Sequence, residues 1–394
     1  MTKLVSPAET EPTRSLPAQA FTSRRIMLAD REIAGTVHVA GGRIIGVDED
    51  RFDAGAIDFG ADLLIPGLVE LHTDHLEPHY SPRPKVYWNP FSAVFAYDAQ
   101  IAGAGITTVF DSLRAGSERA EDGFGASLLK LGDAIERAKR SGMLRADHHT
   151  HLRCEVCADD VLVDARRYAE RFDVRLMSLM DHTPGQRQFR DEEKLRDYYR
   201  GKSGKSDPEL DEMFARRREL HANNSERHRR ALVELGHARG IALASHDDTT
   251  VEQVDEAIAD RMQVAEFPTT VEAAQASHAA GLAVLMGAPN VVRGGSHSGN
   301  VSARVLAEAG VLDILSSDYV PISLIEGAFG LADVAEIGLL PGAIRTVTKN
   351  PADATGMTDR GEIAVGKRAD LVRVALFEGH PVVREVYREG LRVS

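Results

Sequence analysis

Apolar and polar positions follow two different rhythms along this chain. Between residues 21 and 66 the period is two: Ile26 and Leu28, then Val37 and Val39, stand among polar neighbours, and Gly41-Gly42 leads into RIIGVD. That pattern predicts short strands joined by a hairpin. The same rhythm returns after Asn350, in GEIAVGKRADLVRVAL and PVVREVYREGLRV. The two β-rich ends, 21–66 and 350–394, are expected to combine into one small β-sandwich domain. Between them, over 67–349, strand-length apolar runs alternate with helical stretches such as SAVFAYDAQIAGA and LLKLGDAIERAKRSG. The runs are LVELHTD, ITTVFDSL, ADHHTHLRCE, RLMSLMDH, IALASHDD, VAEFPTT, LAVLMGAPN and ILSSDY. Strands alternating with helices imply a parallel sheet, and this set fits an α/β fold, a TIM-like (β/α)8 barrel.

The ends of these runs carry the chemistry. Most close in a residue that binds metal or handles protons, and in a parallel barrel the strand ends share one rim, where active sites are built. His72 and Asp74 lie two apart, as do His151, Arg153 and Glu155, so within each strand they face one way. His182, His246 and Asp318 close later runs. Imidazole and carboxylate together hold divalent metals, which activate water for hydrolysis. The expected arrangement has His72 and Asp74 on one ion, Glu155 bridging to a second, and His182 and His246 completing it. Asp318 would hold metal and accept the proton of the attacking water. The odd spacing of His75 turns it away from the face of His72 and Asp74. His148, His149, His228, His237 and His278 read as ordinary surface or core residues.

A lone strand-end histidine is more often a hydrogen-bonded structural residue, and an aspartate opening a loop is usually a helix cap. Six such residues at one end of different strands shift that balance. Zinc, manganese, iron and cobalt all accept this ligand mixture, with zinc placed first and two ions expected. The segment GAPNVVRGGSHSGN adds glycines that let a backbone approach a ligand, together with Arg293 and His297. Arg83 and Lys85 of SPRPK follow the first ligand strand, and Arg187 follows His182. These five cations are expected to line the rim and hold a polyanion.

The connection from Gln186 to Arg230 is dense in charge and reads as a helical excursion. It is either a solvated face with i, i+4 ion pairs or a cover over the barrel mouth, which it leaves directly after His182. The first twenty residues lack the apolar stretch of a secretory signal and read as a flexible leader.

Composition narrows the remaining choices. The chain has 394 residues, 43% of them hydrophobic and 27% charged, enough for one large domain and a small one. No run is long enough to span a membrane. A net charge of −13 argues against nucleic acid as a partner but leaves room for a small anion beside a metal cluster. A homo-oligomer remains open. The two cysteines, Cys154 and Cys157, provide no disulfide framework, and the cytoplasm is the natural compartment. Their C-x-x-C spacing would suit a redox pair or half a zinc site, but no second pair accompanies it.

These residues carry a resemblance. IPGLVELH, GKRADLV and TKNPA resemble recurring phrases of the amidohydrolase superfamily, which joins a metal-bearing barrel to a β-domain made from both termini. More narrowly, ELHTDHLEPHYSPRPK, HLRCE, SLMDHTPGQRQF, ALASHDD, AEFPTT, VLMGAPNVVRGGSHSGN and ILSSDYVP resemble the PhnM family of phosphonate metabolism, over about Leu64 to Asp370. That family acts on α-D-ribose 1-methylphosphonate 5-triphosphate in the carbon–phosphorus lyase pathway. The resemblance implies a diphosphatase that releases pyrophosphate and α-D-ribose 1-methylphosphonate 5-phosphate. One departure is plain: the family's first motif reads HTDNL, and His75 replaces the Asn here. Two alternatives remain, a cyclic-amide hydrolase of the dihydroorotase or hydantoinase kind and a non-catalytic scaffold barrel. The first generally carries H-x-H and a carboxylated lysine, where this chain has H-x-D and Glu155. The second should lack several ligands.

Overall fold

The computed structural model describes residues 16, 18–83, 85–116, 124–189, 192–203, 206–296 and 299–394. The chain opens with β1 (Gln19–Met27), β2 (Glu32–Ala40), β3 (Arg43–Glu49), β4 (Ile57–Asp58) and β5 (Leu63–Pro66). Eight barrel strands follow: β6 (Leu68–Thr73), β7 (Ile106–Ala115), β8 (Asp147–Glu155), β9 (Val174–Met180), β10 (Ala242–His246), β11 (Val264–Glu266), β12 (Ala283–Gly287) and β13 (Ile314–Ser316). The last strands are β14 (Leu371–Phe377), β15 (His380–Arg388) and β16 (Leu391–Arg392). Each of the eight apolar runs of the sequence coincides with one barrel strand to within two residues at its start or end, or encloses it.

The barrel sheet runs in strict chain order from β6 to β13, and every neighbouring pair is parallel. A parallel bridge between Thr73 and Asp318 brings its two edges together. The Asp318 amide donates to His72 O at 3.0 Å, and the Asp74 amide donates to Asp318 O at 3.2 Å. The barrel interior below the rim is filled by Val69, Leu71, Phe110, Leu176, Ala244, Val264, Leu285 and Ile314. The floor is therefore apolar, and the polar residues gather above it. Strand interiors buried on both faces explain why these runs are nearly continuous in apolar residues.

Helices cover the outside, and their starts are legible in the sequence. Asn89 caps Pro90–Gly103 by accepting from the amides of Phe91 and Ser92, and Thr250 and Gln253 form a capping box on Val251–Ala259. The charged excursion folds as two helices, Glu192–Ser203 and Asp207–Arg239, and the second ends at Gly240 with φ 65°.

The strands from both chain ends form one separate sheet, in the order β16-β15-β14-β5-β1-β2-β3, with β4 alongside β1. Gly41 and Gly42, at φ 57° and 77°, make the turn between β2 and β3. The rings of Phe21 and Tyr387 lie 4.7 Å apart although β5 and β14 separate their strands. The sheet therefore curls, and its two ends face one another across a core containing Ile26, Val37, Ile44, Leu64 and Leu371. Asp147, at the foot of β8, ties this sheet's approach to the barrel, accepting from Arg360 at 2.7 Å and Arg368 at 2.9 Å.

Candidate metal centre and active site

The strand ends deliver their polar residues to one rim. His72 stands near the end of β6, and β8 carries His151, Arg153 and Glu155 at alternate positions. His182 follows β9, His246 ends β10, Glu266 ends β11, and Asp318 follows β13. Glu266 lies at the centre. Its Oε1 is 3.0 Å from His72 Nδ1 and 3.7 Å from His151 Nε2, and its Oε2 is 3.1 Å from His246 Nδ1. Beside it, His182 Nδ1 sits 2.6 Å from Glu155 Oε2, and the His182 amide donates to Glu155 Oε1 at 3.2 Å. His246 Nε2 is 3.4 Å from Asp247 Oδ2. The His246 ring lies 6.0 Å from that of His72 and 5.8 Å from that of His182.

Two groups of donors emerge, His72 with His151 and Glu266, and His182 with His246 and Asp247. Within each group the ligating atoms lie no more than 4.8 Å apart. Burial drives the histidines to the neutral form, lowering His151 and His246 to about 3 and His72 well below its usual value. Neutral imidazoles present lone pairs. Burial also raises the carboxyls of Asp247 and Asp318 to about 7, with the charge of Asp74 adding to the rise at Asp318. Burial raises Glu155 and Glu266 too, but their histidine contacts outweigh it and hold both ionised. Asp247 Oδ2 is buried without a hydrogen-bond partner. A partnerless carboxylate oxygen beside neutral imidazoles suits a divalent cation, so the residues present fit a metal.

His72, Glu155, His182, His246 and Asp318 lie at or just past the ends of barrel strands, on the one rim. Asp74 lies past the end of β6, a third exposed, with Arg153 Nη1 at 3.5 Å. Arg153 Nε is itself buried and has no partner. Arg83 and Lys85 are exposed in the segment after β6, and Arg293 is exposed at the end of the helix Ala288–Val292. Arg187 goes elsewhere. It is buried and donates to His246 O at 2.9 Å and Asp248 Oδ1 at 2.6 Å, because a buried carboxylate requires a cation. It thereby supports His246 from behind. His297 lies outside the described residues. His75 is not among the donors; its Nε2 sits 3.0 Å from Gln100 Oε1.

Sequence reasoning missed Glu266, Asp247 and His151 as candidate metal donors. Glu266 ends the run VAE as His246 ends ALASH, so the signal was present. His151 shares its face with Glu155, and Asp247 is adjacent to His246. Arg114, 3.4 Å from Glu155 Oε2, also lines a cavity of about 350 Å³ with Tyr80, Tyr87 and Leu113.

A family model described as the amidohydrolase family matches residues 136–393. The chain is 45% identical over 371 residues to the alpha-D-ribose 1-methylphosphonate 5-triphosphate diphosphatase of Escherichia coli, covering 94% of this chain and 98% of that one. Among solved structures, N-acetyl-D-glucosamine-6-phosphate deacetylase from Mycobacterium smegmatis, as a variant bound to its substrate, has a TM-score of 0.65 at 15% identity, covering 95% of this chain and 99% of that one. Dihydropyrimidinase from Brevibacillus agri has a TM-score of 0.56 at 15% identity, covering 95% of each. At such identities the structures establish the fold alone.

Proposed function

Because the chain belongs to the amidohydrolase family, we infer its reaction from what the groups at the barrel rim can do and from the relative it matches along nearly its whole length. It hydrolyses α-D-ribose 1-methylphosphonate 5-triphosphate to α-D-ribose 1-methylphosphonate 5-phosphate and pyrophosphate, a step of phosphonate catabolism. The observation that carries the reading is the convergence of His72, His151, His246 and Glu266 on the rim of a chain 45% identical to a diphosphatase. The cyclic-amide alternative is less supported, since it rests on a likeness of fold at 15% identity.

The enzyme uses divalent metal, and we place two ions, zinc first, in the groups His72/His151/Glu266 and His182/His246/Asp247, with Asp74, Glu155 and Asp318 at their edges. When bound, such ions supply the Lewis acidity that activates water and neutralises phosphate charge. The remaining roles fall to side chains. Asp318 accepts the proton of the attacking water, being half-buried at the rim with a carboxyl raised to about 7. The bond between the first and second phosphates breaks, and its electron pair leaves with pyrophosphate. Arg153, among the ligands, offsets the charge that gathers there. Arg83, Lys85 and Arg293 receive the outer phosphates, where guanidinium makes bidentate contacts. The cavity beside Arg114 takes the sugar end of the substrate.

Among the described residues, no helix is long and apolar enough to cross a membrane. We place the enzyme in the cytoplasm, where the buried free thiols of Cys154 and Cys157 stay reduced.

The test is product analysis by phosphorus NMR with the ribose triphosphate. Pyrophosphate and the 5-phosphate should appear in equal amounts. Release of orthophosphate alone, or turnover of a cyclic amide with none of the triphosphate, would overturn the reading. Replacing Glu266 by Gln should lower bound metal per chain while the protein stays folded.

A further inference from the structure

A second set of metal-capable donors lies outside the rim cluster. Cys157 Sγ, Asp181 Oδ and His221 Nδ1 lie within 4.8 Å of one another. They come from separate parts of the fold: the turn after β8, the turn after β9, and the helix Asp207–Arg239. The Cys157 thiol donates to Asp181 Oδ1 at 3.2 Å and lies 3.9 Å from His221 Nδ1, and His221 Nδ1 is 2.7 Å from Asp181 Oδ2. Gln186 Nε2 is 3.1 Å from Asp181 Oδ2 and 3.2 Å from the same His221 nitrogen. Thr183 Oγ1 is 3.5 Å from the sulfur.

The Asp181 carboxylate gathers a sulfur, an imidazole and an amide around itself. A ring nitrogen offers one hydrogen or one lone pair. His221 Nδ1 and Gln186 Nε2 both approach Asp181 Oδ2, at 2.7 and 3.1 Å, which brings the two nitrogens within 3.2 Å of each other. Sulfur, carboxylate oxygen and imidazole nitrogen thus stand around one point, three donors of the kinds that hold a transition ion. Zinc–sulfur and zinc–nitrogen bonds of about 2.3 and 2.0 Å set ligand edges of roughly 3.3–3.6 Å in a tetrahedron. The sulfur and the His221 nitrogen are 3.9 Å apart, and they contact different Asp181 oxygens, Oδ1 at 3.2 Å and Oδ2 at 2.7 Å, so a small turn of the carboxylate presents one oxygen to both.

The backbone around these donors is already fixed. Asn224, one turn after His221 on the same helix, donates to Cys157 O at 3.0 Å and Asp159 Oδ1 at 2.8 Å. His228 Nδ1, two turns on, is 2.9 Å from Val156 O. The helix is thus laid along the turn that carries Cys157, and small side-chain adjustments suffice to close the set on an ion. A thiolate and a carboxylate together neutralise a dication. Ligation would release the thiol proton and the proton shared between His221 and Asp181.

We propose that Cys157, Asp181 and His221 form a third metal site, separate from the catalytic centre, which takes a borderline-soft divalent transition ion such as zinc and pins the long helix to the turns carrying Glu155 and His182. A sulfur–nitrogen–oxygen donor set selects such ions over magnesium and calcium, which prefer oxygen alone.

Cobalt reports on this site directly, because sulfur ligation to cobalt gives a near-ultraviolet charge-transfer band. Cys154, the other cysteine, is buried with its sulfur 3.9 Å from Leu152 O, so a band in the cobalt-loaded enzyme assigns Cys157. The full-length enzyme should show the band after chelation and reloading with cobalt. Cys157→Ser and His221→Gln should each abolish or strongly weaken it and lower bound metal by about one ion per chain. Diphosphatase activity at saturating metal should stay within about a factor of three. His221 lies on a half-exposed helix face, so its variant decides the matter even if the cysteine variant fails to fold. The Glu266→Gln variant should keep the band, which separates this proposal from the reading of the catalytic centre. Absence of the band in the parent enzyme, its survival in Cys157→Ser, or equal metal content in parent and variants would overturn the proposal.

Discussion

Glu70 Oε2 lies 2.6 Å from the backbone nitrogen of Ser317, across the seam where the first and last barrel strands meet. Its other oxygen accepts from the His72 amide at 2.7 Å. One buried side chain thus sets the backbone positions of His72 and of the turn carrying Asp318. Burial pushes the Glu70 carboxyl up to about 8 even though amide donors from both strands oppose the rise. A glutamine there has a single acceptor oxygen, so one amide would face an NH2 group. Glu70→Gln should lower unfolding free energy by about 1–3 kcal/mol and reduce kcat with little change in metal content. Denaturant unfolding checks the first effect, and a variant as stable as the parent would remove Glu70 from this role.

Asp318→Asn keeps the side chain's size while removing its capacity to take a proton. General-base catalysis typically contributes 10²–10⁴-fold, so kcat should fall by roughly that range. Metal content is measured alongside. A variant within about a factor of three of the parent would leave Asp318 without a catalytic part.

Buried His148 supports the fold through charge. Its Nδ1 is 3.0 Å from Asp111 Oδ2 and its Nε2 is 3.2 Å from Asp98 Oδ1. Burial alone would lower its pKa, but the two carboxylates outweigh burial and raise it to about 9. The folded state therefore binds this proton more tightly than the unfolded chain does. The contribution is fully present below the unfolded value of about 6.5 and is lost as pH rises through about 9. His148→Gln would leave two carboxylates without their cation, a change worth about 3–5 kcal/mol in buried pairs. Its unfolding midpoint, compared with the parent's across pH 6 to 10, should show a gap that narrows at the alkaline end.

Arg187 and Arg293 should separate cleanly in kinetics. Arg187→Ala removes the partner of Asp248 and a hydrogen bond to His246 O, so stability and metal binding should both fall. Arg293→Ala touches an exposed side chain, and KM for the triphosphate should rise with folding and metal content unchanged. If Arg187→Ala changes only KM, it faces substrate after all. If Arg293→Ala leaves KM alone, the anion is held elsewhere.

The sequence was most legible where structure repeats. Each barrel strand fell in an apolar run, since strands buried on both faces need continuous apolar residues, and the residue ending such a run necessarily reaches the rim. The pairing of terminal strands into one sheet followed from their shared period of two. What stayed hidden depended on contacts between distant positions. His148 read as an ordinary residue because Asp98 and Asp111 lie 50 and 37 positions away. Arg187 read as a rim cation because only the folded chain places Asp248 beside it, 61 positions on. Cys157 and His221 are 64 apart, and nothing in C-x-x-C spacing announces a helix that returns to it. Glu266 is a different case, for its position at a strand end is visible in VAE, while the three histidines that meet it come from strands far away in the chain.

The curled sheet also bears on how the protein is made. β5 and β1 emerge from the ribosome early, yet β14, which must pair with β5, emerges about three hundred residues later. The side chain of Gln19 finally meets Gly390 O across 371 positions. During synthesis the edge of β5 stays open while the whole barrel is being completed, and an open edge invites pairing with other chains. Translation that stalls before residue 371 would yield a chain with its catalytic rim nearly complete and a sticky strand exposed, a species for chaperones or proteases to intercept.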